Sequence, residues 1–169
     1  MSHLYFEELT AEETRNLYPS YSRRDITCFS IIKDGFCVGL YGLIDRGFDK
    51  NTGRHIGEGF LTIFPDFRYR ILGKSFFLAL FDHAFSSGFE IVYTWTRLTS
   101  WKKLLERFEP LGIHQLDTPP AWDLDPPDTD PSKVWFVKEK EQQQEPEKRP
   151  PEKQTKAKRS KARENRKES

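Results

Sequence analysis

Leu61–Phe77 reads LTIFPDFRYRILGKSFF. A run of β-formers stops at Pro65, which has no N–H to give a strand ladder. A basic stretch with one glycine follows and passes at Gly73 straight into a long apolar-periodic segment. Strand, basic loop, helix is an arrangement with a chemical consequence. It aims backbone N–H groups and the positive end of a helix dipole at whatever occupies the loop. Arg68, Arg70 and Lys74 add full positive charges there. The guest that this chemistry selects is a phosphate or pyrophosphate.

Working outward from this stretch gives an order of elements. Upstream, His3–Glu8 alternates as a strand does, and Thr10-Ala-Glu-Glu13 has the form of a capping box that opens a short helix ending before Pro19. Ile26–Lys33 and Phe36–Leu43 are rich in β-formers and flank Asp34-Gly35. Asp-Gly in that position predicts a hairpin with a type I′ turn, which needs positive φ at both central residues. Residues 45–55 read as a polar loop, and Gly59–Phe64 as the strand before Pro65. Downstream, Gly73–Phe85 carries Phe76, Phe77, Leu80, Phe81, Ala84 and Phe85 at helical spacing, closed by Ser87-Gly88. Ile91–Thr96 is a strand. Thr99 or Ser100 is expected to cap a helix over Trp101–Phe108, which Pro110 and Gly112 end. Ile113–Leu116 and Val134–Val137 are the last strands, separated by a loop rich in proline and aspartate. The order β-α-ββ-β-α-β-α-β-β predicts an α/β (α+β) fold: a mixed, mostly antiparallel sheet flanked by helices. One right-handed crossover should set two strands parallel.

Composition divides the chain. Fourteen phenylalanines among 169 residues point to a core built on phenylalanine. A net charge of +1 hides an acidic stretch, with Asp123, Asp125, Asp128 and Asp130, and a basic end from Lys153 to Lys167. The expected division is a folded domain at 1–137 and a charged tail at 138–169. The tail has too little apolar surface to offset its ordering entropy, so it is expected to be disordered. Cys28 and Cys37 sit at no redox or metal spacing and are expected to be buried reduced thiols. His3, His55, His83 and His114 are scattered, so no metal is expected, and His83 is expected to face solvent. Met1–Glu8 lacks the apolar run of a signal peptide, and no window matches a membrane span. The expectation is a soluble, cytoplasmic protein.

Ile63, Pro65, Phe67, Arg68, Gly73 and Lys74 stand at the spacing V-x-P-x-(Y/F)-R-x-x-G-x-G-K, and Arg107-Phe108-Glu109-Pro110-Leu111-Gly112-Ile113 follows the later landmark L-Y-E-K-L-G-F. On these two motifs the chain resembles the GNAT acetyltransferase superfamily over residues 3–137. The resemblance implies an acetyl-CoA site at Ile63, Arg68, Tyr69, Arg70, Ile71, Leu72, Gly73 and Lys74, and Glu58 as general base. Three positions depart from it. Ile71 replaces the first motif glycine, and a β-branched residue there should narrow the approach to a phosphate. Phe108 replaces the tyrosine that commonly protonates the leaving thiolate. Trp101 replaces an asparagine that contacts cofactor. The short Tyr18–Arg24 segment implies an open acceptor pocket.

These departures favour a role in binding over one in acetyl transfer. The short first helix, the entry Tyr18-Pro-Ser-Tyr-Ser22 and the single-glycine loop look like the compact GNAT-like virion and head-assembly proteins of tailed bacteriophages. That likeness implies viral structural proteins or packaged DNA as partners, and a place in host cytoplasm or virion. The second reading is an active acetyl-CoA-dependent N-acetyltransferase acting on an amine. The third is a nucleic-acid-binding module working through Lys156, Lys158, Arg159, Lys161, Arg163, Arg166 and Lys167, by counterion release.

Overall fold

The hairpin forms as its turn dictates. In the computed structural model, which describes residues 3–19, 25–120 and 130–141, Asp34 and Gly35 adopt φ of 51° and 83°. They join β2 (Ile26–Lys33) to β3 (Phe36–Phe48), with Lys33 paired to Phe36. Before them, β1 (Leu4–Glu8) leads into α1 (Ala11–Leu17). The Thr10 hydroxyl accepts from the Glu13 N–H at 3.1 Å, and the Glu13 carboxylate accepts from the Thr10 N–H at 3.2 Å. The expected capping box is therefore complete.

β4 (His55–Ile63) is followed by a 3₁₀ turn at Pro65–Phe67, a short helix α2 (Arg68–Ile71) and α3 (Lys74–Ser86). Then come β5 (Ile91–Thr96), α4 (Thr99–Glu106), a 3₁₀ turn at Glu109–Leu111, β6 (Ile113–Gln115) and β7 (Val134–Glu139). Among the described residues the strands form one sheet in the order β1-β2-β3-β4-β5-β7-β6. β4 and β5 run parallel, and the other neighbours pair antiparallel.

Phenylalanine builds the core, as its abundance suggests. Phe29, Phe76, Phe77, Phe81, Phe85, Phe89 and Phe136 are all buried in one cluster between α3, α4 and the sheet. Successive strand residues alternate faces, so the opposite face carries a smaller cluster of Ile56, Ile91 and Trp135, with Tyr93 and Trp95 against it.

Several boundaries differ from the sequence expectation. β3 runs on to Phe48 and β4 begins at His55, so half of the expected 45–55 loop is strand. α4 starts at Thr99 behind Leu98, with no side-chain cap, because the Thr96 hydroxyl takes the Leu98 N–H and turns the chain early. β7 continues past Val137 to Glu139, since Arg54 donates to the carbonyl of Lys140 at 2.7 Å and Lys140 donates to Glu90. Cys28 is buried, with burial pushing its thiol pKa up and the Thr14 side chain partly opposing this, but Cys37 is exposed near the turn. His83 does not face solvent: it packs against Phe6 and Phe29, and its Nδ1 meets the Tyr41 hydroxyl. Residues 142–169 lie outside the described residues, and with them the basic side chains from Lys156 to Lys167.

Candidate functional site

The parallel pair β4 and β5 is short. Ile56, Gly57 and Glu58 register with Ile91, Val92 and Tyr93, and there the pairing ends. Beyond it β4 stays with β3 and β5 stays with β7, so the two strands part. The edges that face each other across the gap have lost their ladder partner. A cavity of about 380 Å³ occupies this wedge and continues between the sheet, α3 and α4. Phe77 and Phe81 line it from α3, Leu98, Trp101 and Leu105 from the start and body of α4, and Tyr41 and Leu43 from β3.

Phe77 stands in the first turn of α3, so the cavity reaches close to that helix's N-terminus. No side chain caps this end and no acidic residue lies in its first turn. The leading N–H groups of a helix have no intrahelical acceptor. Gly73, at the N-cap, is extended with φ −144°, and a Cβ there would meet nothing within 4 Å. The space at Gly73 is open, and Arg70 and Lys74, both exposed, stand three residues before it and one after it in the chain.

The segment leading there is a turn of helix, which corrects the open basic loop expected from sequence. Arg68 Nε donates to the Ile63 carbonyl at 3.2 Å and ties the segment to the end of β4. Tyr69 contributes backbone to α2. Ile71 is 5% exposed and belongs to the phenylalanine core, with Leu72 packed against the same cluster. The Ile71 backbone is helical, with no positive φ.

Glu58 is 6% exposed. Its Oε1 accepts from Trp95 Nε1 at 2.9 Å, and its Oε2 accepts from Arg46 Nε at 2.9 Å and from Nη2 of the same guanidinium. It is thus neither a solvated strand residue nor a bare base. Arg46 escaped the sequence reading because it stood in a supposed loop. The parity Ile44, Arg46, carried on from β3, was the available signal. On the same face Lys133 and Arg97 lie over the Trp95 ring at 4.1 and 5.0 Å. Arg97 in turn binds Asp130, whose carboxyl the Ser132 hydroxyl and Arg97 hold well below the usual range.

Phe108 packs its ring on Phe77 at 4.9 Å between centroids, so hydrocarbon fills the position where the sequence resemblance places a proton donor. Trp101 lines the cavity. Tyr18 packs edge-on against Phe60 at 5.0 Å, whereas Ser20–Arg24 lie outside the described residues. Among the described residues no three His, Cys, Asp or Glu side chains gather in a metal-binding group, and no helix is long and apolar enough to cross a membrane.

No protein-family model and no curated protein matches the sequence. Solved structures do match. The dodecameric spermidine N-acetyltransferase of Vibrio cholerae aligns with a TM-score of 0.54 at 12% identity, over 80% of this chain and 93% of its own. A putative acyl-CoA N-acyltransferase of Klebsiella pneumoniae aligns at 0.52 and 15%, over 80% and 97%. FeeM, an N-acyl amino acid synthase from uncultured soil microbes, aligns at 0.51 and 9%, over 82% and 92%. Likeness at such low identity concerns architecture, and the architecture is that of the GNAT N-acetyltransferases.

Proposed function

We propose that the chain is an acyl-CoA-dependent N-acyltransferase. The observation that carries this reading is a cavity in the wedge between β4 and β5 that is lined by Phe77, in the first turn of a helix whose N-terminus has no side-chain cap. The parts fit the ligand's chemistry in order. The first N–H groups of α3, with Arg70 and Lys74, suit a pyrophosphate. The strand edges freed beyond Glu58 and Tyr93 offer backbone donors and acceptors to the two amides of a pantetheine arm. The apolar cavity suits the thioester end.

Coenzyme A supplies an acyl group activated as a thioester. An amine acceptor attacks the carbonyl carbon, the C–N bond forms, and the C–S bond breaks with its electron pair leaving on sulfur. The nitrogen loses a proton to water, and the thiolate takes one from water, because Phe108 has none to give. Where a positioned acid is used, its loss costs roughly 10²–10⁴ in rate. In this reading Glu58 is a positioning residue. Its two oxygens are taken up by Arg46 and Trp95, and Trp95 lines the cavity.

The test is calorimetric titration of coenzyme A into the full chain, beside an Arg70→Glu, Lys74→Glu variant. Micromolar binding that the variant loses is the expected result. No heat at millimolar coenzyme A would refute the proposal and return the chain to the binding roles raised above, in a virion or on nucleic acid.

A further inference from the structure

We infer that the Phe48–His55 end of the sheet, together with the basic segment that follows Glu141, is a binding site for single-stranded nucleic acid. It is a separate surface from the acyl-CoA site and does not depend on that reading.

The argument starts from one exposed ring. Phe48 closes β3 and is 65% exposed. A lone exposed apolar side chain is ordinary, but this one is held in a fixed stack. Its ring lies on His55 at 4.8 Å between centroids and 21° between planes, and His55 lies on Phe89 at 4.5 Å and 26°. Phe89 is buried in the phenylalanine core, so the stack is anchored at its inner end. Asp45 Oδ1, 2.9 Å from Nε2, and the Gly88 carbonyl, 3.2 Å from Nδ1, fix the His55 ring. The turn after Phe48 is closed too: the Asp49 N–H donates to the Arg54 carbonyl at 2.8 Å and the Gly53 N–H to the Asp49 carbonyl at 2.7 Å. His55 covers one face of the Phe48 ring, and no other ring or cation lies on it among the described residues. A fixed, open π-face is what an unpaired base stacks on, whatever its sequence.

The stack itself is not basic. The acids around it have partners of their own: Asp45 meets His55, Asp49 accepts from the Thr52 N–H and hydroxyl, and Glu90 and Glu139 pair with Arg54 at 3.6 and 3.5 Å. The charge that phosphates need comes from further along the chain. Arg54, next to His55, donates to the Lys140 carbonyl at 2.7 Å, which sets the root of the C-terminal segment beside the stack. Beyond that root, outside the described residues, the run from Lys153 to Arg163 carries Lys156, Lys158, Arg159 and Lys161 as well and no Asp or Glu. Even fully extended, the chain from Lys140 to Lys153 reaches no further than about 45 Å. These cations therefore act on the same short strand that stacks on Phe48. An aromatic platform beside a cationic track is the combination that holds single strands without reading their sequence.

The experiment is fluorescence anisotropy of a labelled DNA strand of about 12 nucleotides, a length within the usual site sizes, of the RNA strand of the same sequence, and of the DNA duplex. Each is titrated with the full chain, with Phe48→Ala, with Phe48→Trp, and with a variant in which Lys156, Lys158, Arg159 and Lys161 are all Gln. Urea unfolding of each variant shows that it is folded. Phe48→Ala should weaken single-strand binding at least about five-fold, Phe48→Trp should restore it, and the duplex, whose bases stack on each other, should bind both alike. The lysine and arginine variant should lower the slope of log affinity against log salt by about three. Single-strand affinity unchanged in Phe48→Ala, or an equal loss on the duplex, would overturn the stacking platform. An unchanged salt slope in the Gln variant would overturn the part given to the basic segment. No binding of either strand at about 50 mM salt would overturn the whole inference, and it would leave the acyl-CoA reading untouched.

Discussion

Glu58 offers the sharpest perturbation. Its side chain is 8% exposed, that of its Arg46 partner 20%, and Trp95 Nε1 donates to its other oxygen. Glu58→Ala takes from a mostly buried guanidinium the carboxylate to which both its Nε and its Nη2 donate. Breaking a buried pair from one side costs about 3–5 kcal/mol. Arg46 keeps some contact with solvent, so its share belongs at or below the lower end of that range. The indole N–H left unpaired adds about 1 kcal/mol or more. The expected loss is therefore about 3 kcal/mol, which should lower the urea midpoint by more than about 1 M for a slope of 1–3 kcal/mol/M. A double variant, Arg46→Met with Glu58→Leu, removes both charges and should recover most of the loss. Glu58→Gln separates positioning from base catalysis: a positioning residue loses stability and a modest amount of rate, whereas a base loses roughly 10²–10⁴ in rate. A loss below about 0.5 kcal/mol in Glu58→Ala, or no recovery in the double variant, would refute the clamp.

Three further outcomes follow from single features. Burial lowers the His83 pKa, with Glu8 opposing, so the unfolded chain takes up this proton first and stability falls as pH drops below about 6.5 toward the folded value; His83→Gln should flatten that limb of the urea-midpoint profile, and parallel profiles would contradict it. Gly39→Ala drives a Cβ into the Thr62 backbone carbonyl and to 3.1 Å from Ile63 Cα, costing about 1–3 kcal/mol, whereas Gly73→Ala enters open space and should change the thermal midpoint little. Arg54 donates to the carbonyls of Glu90 and Lys140 at 3.3 and 2.7 Å, so Arg54→Met should speed amide exchange at the end of β7 while β2 and β3 stay protected.

The elements that were legible carry their signal locally. Asp34-Gly35 needs only its own φ angles, and the Thr10–Glu13 box closes within four residues. The failures are those of tertiary packing. His83 looked like a solvent position because one apolar stripe was assumed for α3, yet the helix also meets the ring cluster of Phe6, Phe29 and Tyr41. Arg46 was hidden because polar residues in a strand resemble a loop until a partner such as Glu58 appears across the ladder. The wedge could not be read at all. It depends on how far β4 and β5 stay paired, and no residue in either strand announces where they part.

Ile71 and Phe108 looked alike in the sequence, as one worn position in each of two motifs, and the structure separates them. A motif read as a string assumes that the loop remains a loop. Here Pro65–Ile71 coils into helical turns, Ile71 becomes a core anchor, and the space at Gly73 is open. The positive φ that a glycine would supply is not used at position 71. Phe108 carries an argument against turnover, since a phenyl ring packed on Phe77 cannot protonate a thiolate. If the chain is the acyltransferase proposed, a missing acid acts on the transition state alone: it lowers kcat and leaves ligand affinity unchanged. Binding and rate must be measured separately in this protein. Slow transfer would report the loss at Phe108, and only a failure to bind would speak against the site.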